Sequence, residues 1–231
     1  MRIIAITTVV CLLACCAAAQ AGFDGSLSFA DGGLVANGFW ADNSTTLSWN
    51  VSPTGSGLWN YSYSLHVPRH AVSHLILETS VDLPASEITN ITGSFIDGEC
   101  WEVGWFETNK SNPGMPDEIY GIKFELGGEY TDLSFSFDCA RVPVWGDFYA
   151  KNGVGGGEPS TLWNAGFALA DPVDPVSSGS LFNHVIRPDT ATGGGPPTDD
   201  SPEPATWLLL LATGIVGAGR RWRRARRSGD Q

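Results

Sequence analysis

The sequence of 231 residues predicts an all-β fold for most of its length, an antiparallel two-sheet sandwich or a jelly roll. Between residues 25 and 169, short segments rich in Trp, Tyr, Phe and Val alternate apolar with polar side chains. Clusters of Gly, Pro, Asn and Asp separate these segments, and the chain has 28 Gly in all. No long apolar repeat of 3.6 residues occurs in this range, so we expect neither helical crossovers nor a parallel sheet.

Five segments show the alternation most clearly, and each is predicted to be a strand with one apolar and one polar face. Their apolar positions are Leu47, Trp49 and Val51; Trp59, Tyr61, Tyr63, Leu65 and Val67; Trp101, Val103 and Trp105; Tyr120, Ile122, Phe124 and Leu126; and Leu133, Phe135 and Phe137. We expect about eight to ten strands in one domain, a number typical of sandwiches. The pattern alone does not separate a sandwich from a jelly roll.

Residues 1–21 have the three zones of a secretory signal peptide. An arginine at position 2 precedes the apolar run Ile3 to Ala14, and small residues lead to a predicted cleavage site after Ala21. An alternative places cleavage before Cys15, because the preceding Leu-Leu-Ala resembles a lipoprotein box and would leave an acylated cysteine. Both alternatives predict export.

The net charge of −12 is unevenly distributed along the chain. Between Gly22 and Pro202 there are 6 basic and 23 acidic residues, which gives −17. Such a domain is repelled by nucleic acids and by anionic lipid, so we expect neither as a partner.

Two cysteines, Cys100 and Cys139, lie in the predicted domain. Because an exported protein enters an oxidising compartment, we expect one disulfide between them. Cys100 is then predicted to lie in the turn before its strand.

The composition changes after the sandwich, which we assign to residues 22–170. Residues 171–200 are predicted to form a loop and a Gly/Pro-rich linker. Within the tail, residues 201–231, an apolar run of thirteen residues extends from Trp207 to Gly219. As a helix it would rise about 20 Å, against a hydrocarbon core of about 30 Å, so we expect a short transmembrane helix. A cluster of arginines fixes its cytoplasmic end: Arg220, Arg221, Arg223, Arg224, Arg226 and Arg227.

The tail begins with Pro202, Glu203 and Pro204, which precede the apolar run and the arginine cluster. This order resembles the PEP-CTERM sorting signal of Gram-negative bacteria, over about 27 of the 231 residues. The resemblance implies an exosortase as partner, removal of the tail, and delivery to the cell surface or to an extracellular polysaccharide matrix. A single-pass anchor that stays in the membrane is the alternative.

Aromatic residues outside the periodic faces are candidates for stacking on sugars. Five tryptophans lie on or near apolar strand faces, whereas Trp40 and Trp163 do not. We therefore predict Trp40 and Trp163 as the candidate glycan-stacking residues.

Acidic side chains suggest two further sites. Glu99 and Glu102, with Asp97 nearby, could supply the carboxylate pair of a glycoside hydrolase. Structural calcium could be bound by loop carboxylates at Asp117, Glu118, Asp171 and Asp174, although the twelve-residue calcium loop is absent from the sequence.

Three histidines are spaced by four residues, at His66, His70 and His74. Pro68 interrupts that spacing, so we interpret them as surface histidines and predict no metal centre.

These observations predict an exported, non-catalytic cell-surface or matrix protein that is sorted by an exosortase and associated with exopolysaccharide. No cofactor other than structural calcium is expected. The first alternative is a secreted carbohydrate-binding module, and the second is a glycan-acting hydrolase.

Overall fold

The computed structural model describes residues 22–93, 100–126, 129–153 and 159–189, all within the first of two units into which the chain divides, Met1–Gly194. The predictions for the signal peptide, for most of the linker and for the tail lie outside these ranges. Within them the structure has thirteen β-strands and two short 3₁₀ helices. The predicted all-β class is confirmed.

The elements have the following bounds. The strands are β1 (Phe23–Ser28), β2 (Leu34–Ala36), β3 (Thr46–Pro53), β4 (Trp59–His66), β5 (Val72–Glu78), β6 (Thr89–Gly93), β7 (Trp101–Phe106), β8 (Ile119–Glu125), β9 (Asp132–Cys139), β10 (Pro143–Gly146), β11 (Phe148–Asn152), β12 (Thr161–Asn164) and β13 (Val185–Pro188). The 3₁₀ helices are η1 (Gly38–Trp40) and η2 (Ala85–Glu87).

Two large antiparallel sheets form a sandwich. Sheet A has the strand order β1-β3-β4-β9-β6, and sheet B has the order β2-β12-β11-β5-β8-β7. A small third sheet pairs β10 with β13. The five predicted strand segments correspond to β3, β4, β7, β8 and β9.

The main core lies between sheets A and B and is rich in aromatic rings. Phe124 of β8 and Phe135 of β9 bring the two sheets together, with ring centroids 4.4 Å apart. Within sheet A, Tyr63 stacks on Phe135 at 5.0 Å. The buried hydroxyl of Tyr63 donates to the carbonyl oxygen of Ile186 at 2.6 Å, so its polar atom is satisfied inside the core.

A second, smaller core covers the outer face of sheet B. It contains Ile76, Phe106, Met115, Ile119, Tyr149 and Phe167. Because β5 and β11 are covered on both faces, their sequences do not alternate, which explains why neither strand is among the clearly predicted segments.

The folded domain extends beyond residue 170, because β13 pairs with β10. Arg141, in the turn before β10, fixes this end of the domain. Its guanidinium lies 2.6 Å from Glu87 and 3.0 Å from Asp82, and it donates to the carbonyl oxygen of Asp189 at 3.3 Å. The predicted loop and linker therefore contain a strand that belongs to the domain.

The predicted disulfide between Cys100 and Cys139 is not formed. Cys139 is a free thiol, fully buried on the inner face of β9 in sheet A. Cys100 directly precedes β7, the last strand of sheet B. The two cysteines thus belong to different sheets, and burial raises the pKa of the Cys139 thiol.

Candidate functional site

The tryptophans that the sequence singled out are not exposed. Trp40 is fully buried, and its indole N–H donates to the carbonyl oxygens of Arg69 and His70 at 2.9 and 3.0 Å. A ring without free surface cannot stack on a sugar, so the prediction for Trp40 is wrong. Trp163 is half-buried and packs against the outer core of sheet B.

The exposed tryptophan in the described ranges is Trp105, at 58%. Its ring meets Tyr120 edge to face, with centroids 5.6 Å apart and planes at 72°. The hydroxyl of Tyr120 donates to the carbonyl oxygen of Leu83 at 3.2 Å, which fixes the ring under Trp105. The alternation assigned Trp105 to the core face, together with Trp101 and Val103. Trp101 and Val103 are half-buried against the main core, but Trp105 lies beyond the edge of that core.

On the outer face of sheet B, opposite to the Trp105 ring, lies an open groove of about 380 Å³, which we call the β7–β8 groove. Strand β7 and the loop that follows it form the groove, together with one side chain of β8. Its lining includes Glu102, Gly104, Trp105, Asn109, Asn112 and Lys123. The lining is mostly polar, which suits a ligand with many hydroxyl groups better than an apolar ligand.

Two glycines explain the depth of the groove. Gly104 of β7 pairs directly with Gly121 of β8, so no side chain rises from the middle of this strand pair. A Cβ atom on Gly104 would meet nothing within 4 Å, whereas one on Gly121 would clash with the carbonyl oxygen of Leu77. The floor of the groove is therefore backbone.

Lys123 is the positively charged side chain of the groove lining, and it contacts acidic and aromatic neighbours. Its ammonium contacts Glu125, lies 3.7 Å from Glu102, and stands 5.7 Å from the centre of the Phe106 ring. Glu107 adds a further exposed carboxylate to the lining. Glu102 and Glu107 line the groove with one lysine, which also contacts Glu125 at its edge, so the groove has a negative formal charge and disfavours anionic ligands.

A second group of charged side chains lies inside the domain, where β5, β10, β12 and β13 meet. We call Glu78, Asp147, Asp171, His184 and Arg187 the buried charged cluster. His184 Nδ1 lies 3.0 Å from Asp147 Oδ1 and 3.4 Å from Asp171 Oδ1. The Asn164 amide also donates to Asp147 Oδ1, at 2.6 Å.

Arg187 joins the carboxylates of this cluster. Its Nη2 atom donates to Asp171 Oδ2 at 2.8 Å and lies 3.3 Å from Glu78 Oε1. Burial raises the pKa of Glu78 to about 7, although the Arg187 charge opposes that shift. Burial lowers the pKa of His184, but the hydrogen bond and charge of Asp147 and the charge of Asp171 outweigh it, so the net shift is upward.

Asp147, Asp171 and His184 are also the described residues whose ligand atoms could hold a cation, since these atoms lie within 4.8 Å of one another. The oxygens of the two carboxylates already face protein donors, because His184 and Asn164 contact Asp147 and Arg187 contacts Asp171. The guanidinium of Arg187 opposes a divalent cation at this position. Through these contacts the cluster joins sheet B to the small third sheet.

The other predicted ligands are dispersed. Asp117 accepts the backbone N–H of Glu118 at 2.8 Å, and Asp174 is exposed, whereas Asp171 belongs to the buried charged cluster. Of the proposed carboxylate pair, Glu99 lies outside the described residues, as does the nearby Asp97, whereas Glu102 is an exposed residue of β7.

The three histidines have different surroundings. His66 forms an exposed pair with Asp132 at 2.7 Å, and His70 stacks on Phe39 at 4.2 Å. The interpretation as surface residues is therefore right for His66 and His70. It is wrong for His74, which is buried next to Tyr149.

Among the residues that the structure covers, no helix is long and apolar enough to cross a membrane, and the predicted C-terminal helix lies outside them. No curated protein and no solved structure matches this chain. Residues 202–224 match the PEP-CTERM protein-sorting motif. The span begins at Pro202 and includes the apolar run and the first arginines of the cluster. The chain therefore carries, at residues 202–224, the C-terminal sorting signal of exosortase substrates.

Proposed function

We propose that this chain is a non-catalytic protein of the cell surface or extracellular matrix that associates with exopolysaccharide after an exosortase has removed its tail. The sorting signal at residues 202–224 carries the proposal, because it implies export and membrane-associated sorting. Removal of the tail releases a β-sandwich with a strongly acidic sequence, which stays soluble in a hydrated matrix.

The surface of the domain supports a binding role. Sugars are bound by an exposed aromatic ring together with nearby hydrogen-bonding side chains. The domain has an exposed ring, Trp105, and a groove lined by polar side chains such as Asn109 and Lys123, on opposite faces of β7.

Hydrolysis of a glycan is less well supported. Glycoside hydrolases need one carboxyl group that stays protonated in an apolar surrounding and a second at a fixed distance. Glu102 and Glu125 are close to each other through Lys123, but both side chains are more than half exposed and both face the same ammonium. Both carboxylates therefore lie in a solvent-exposed salt-bridge network rather than in an apolar surrounding.

The experiment is a fractionation of the producing cells. The chain is followed by immunoblot in membrane, cell-surface and matrix fractions, before and after the polysaccharide is removed by enzymatic digestion. We expect the processed form in the matrix fraction and its release on digestion. A processed form that stays in the soluble medium with the polysaccharide intact would contradict the proposal.

The catalytic alternative is tested in the same preparation. The purified chain is incubated with the isolated polysaccharide, and reducing ends are measured over time. We expect no increase over a heat-treated sample. An increase that Glu102→Gln abolishes would replace the proposal with the hydrolase.

A further inference from the structure

We infer that Asn109, in the loop between β7 and β8, is an acceptor site for an N-linked oligosaccharide. An asparagine followed two positions later by serine or threonine is the acceptor sequence for this modification in exported proteins. The sorting signal implies that this chain is exported. The site is separate from the proposed association with exopolysaccharide and does not require it.

The sequence contains five such acceptor sequences, which begin at Asn43, Asn50, Asn60, Asn90 and Asn109. A transferase has to reach both the side-chain amide and the hydroxyl group two residues later. In a folded domain, the acceptor sequence must therefore lie in a surface loop with both groups accessible. This requirement separates the five sequences from one another.

Three of the five lie in paired strands of sheet A. Asn50 belongs to β3, which pairs with β1 on one side and with β4 on the other. Asn60 of β4 and Asn90 of β6 both donate their side-chain amides to Asp138, at 2.7 and 2.8 Å. In these sequences the backbone is paired, and two of the three amide nitrogens already have a protein acceptor.

The sequence at Asn43 lies in a turn, but its hydroxyl group is not accessible. Asn43 itself is exposed, whereas Thr45 is fully buried. The Thr45 hydroxyl donates to the carbonyl oxygen of Trp40 at 2.8 Å. A transferase that approached Asn43 in the folded domain would not reach this hydroxyl.

The sequence at Asn109 meets both conditions. Asn109 and Ser111 are exposed and lie in the same short bend. Asn109 Oδ1 accepts the backbone N–H groups of Ser111 and Asn112, at 2.7 and 3.2 Å, which is an Asx turn. None of the described residues accepts a hydrogen bond from Asn109 Nδ2, so this nitrogen faces solvent and can react.

The loop presents this bend without unfolding, because the residues beside the bend are anchored. The buried Asn112 donates its side-chain amide to the carbonyl oxygen of Glu107 at 3.0 Å. The Thr108 hydroxyl donates to the carbonyl oxygen of Met115 at 2.7 Å, and Met115 packs in the outer core of sheet B. A glycan on Asn109 would therefore extend from the outer face of sheet B and leave the core undisturbed.

The modification is a group transfer without oxidation or reduction. The donor is an oligosaccharide linked through diphosphate to a membrane lipid, and a transferase of the producing cell catalyses the step. Asn109 Nδ2 forms a bond to the anomeric carbon of the first sugar, and the bond from that carbon to the phosphate oxygen breaks. The lipid diphosphate leaves with the electron pair, and one amide proton passes to a base of the transferase.

The experiment is mass spectrometry of the exported protein, purified from the producing cells and digested into peptides. Three variants address the site. Ser111→Ala removes the hydroxyl group but keeps Asn109, and Ser111→Thr is its matched control because threonine also completes the acceptor sequence. Asn109→Gln removes the acceptor and distinguishes an N-linked sugar from one on a neighbouring hydroxyl group.

We expect the peptide with Asn109 to carry the added mass of an oligosaccharide in the wild type and in Ser111→Thr. We expect Ser111→Ala and Asn109→Gln to lack it. A wild-type peptide with the mass of the plain sequence would overturn the inference. So would a sugar that persists in Ser111→Ala or in Asn109→Gln, or a sugar carried only by another of the five sequences. None of these results bears on the proposed association with exopolysaccharide, which the fractionation of cells tests separately.

Discussion

Glu78 Oε1 lies 3.3 Å from Arg187 Nη2, and this contact joins the end of β5 to β13 inside the domain. The second oxygen of Glu78 accepts the backbone N–H of Asp147 at 2.8 Å. Because both charged groups are mostly buried, the contact makes stability depend on each partner and on pH.

Removal of the guanidinium tests this dependence. We expect Arg187→Met to lower the free energy of unfolding by about 3–5 kcal/mol, because Glu78 and Asp171 would remain buried without their cation. The control is Asp132→Ala, which breaks an exposed pair with His66 and should cost less than about 1 kcal/mol. Urea unfolding measures both. Equal small losses in the two variants would show that Arg187 is not essential to the cluster.

The raised pKa of Glu78 predicts how stability changes at neutral pH. Its pKa is about 7 in the folded protein and about 4.5 when unfolded, so the folded state binds more protons between these values. This contribution is present below pH 4.5 and is lost as the pH rises through 7. His184, whose pKa is also raised, acts in the same direction. We expect the melting temperature to fall between pH 6 and pH 8, and Glu78→Gln to reduce that fall. A melting temperature that rises over this interval would contradict the assignment.

His74 predicts the opposite sign at lower pH. Burial, and next the charge of Lys123, lower its pKa from 6.5 to about 4. The folded state therefore binds fewer protons than the unfolded state between these values, so this contribution is present above pH 6.5 and is lost as the pH falls. In His74→Gln we expect a weaker loss of stability between pH 6 and pH 4 than in the wild type. Parallel acid profiles for the two proteins would rule out His74 as the cause.

The glycine pair of β7 and β8 provides a matched comparison of packing. Gly121→Ala places a methyl group against the carbonyl oxygen of Leu77, so we expect a loss of about 1–3 kcal/mol. Gly104→Ala, directly opposite in the pair, enters open space and should change stability by less than about 0.5 kcal/mol. Thermal unfolding distinguishes the two. The reverse order would mean that the floor of the groove is not packed as described.

The thiol of Cys139 predicts a difference between folded and unfolded protein. Because it is fully buried and its pKa is raised, we expect no labelling by a maleimide reagent in the native state. Unfolding in urea should make it reactive. Mass spectrometry of the peptide that contains Cys139 measures the labelling. A Cys100–Cys139 disulfide in the exported protein would contradict the structure.

Periodicity predicted the strands whose two faces differ, and these include β3, β4 and β9 of sheet A. It predicted less where an element has two buried faces, because β5 and β11 lie between the main core and the outer core. β13 has only four residues and lies between segments rich in Pro, Gly and Asp, so its sequence gives little indication of a strand.

The exposure of the tryptophans was harder to predict than the strands. Trp40 interrupts no alternation, yet η1 turns it into the core, where its N–H finds two carbonyl acceptors. Trp105 follows the alternation, yet its side chain is exposed because it lies beyond the edge of the main core. Exposure depends on how far the opposite sheet extends, which is a property of the packed pair rather than of either strand. The sorting signal needs no such packing, because its order along the chain is itself the signal.

The most direct measurement is the intact mass of the chain, expressed in a Gram-negative host with and without an exosortase. We expect loss of the tail near Pro204 only when the exosortase is present, with the remaining chain released from the membrane fraction. Substitution of Pro202, Glu203 and Pro204 by alanine should prevent this loss. A full-length chain in the membrane fraction of both hosts would contradict the assignment of residues 202–224 as a processed sorting signal, because these residues would then act as an anchor.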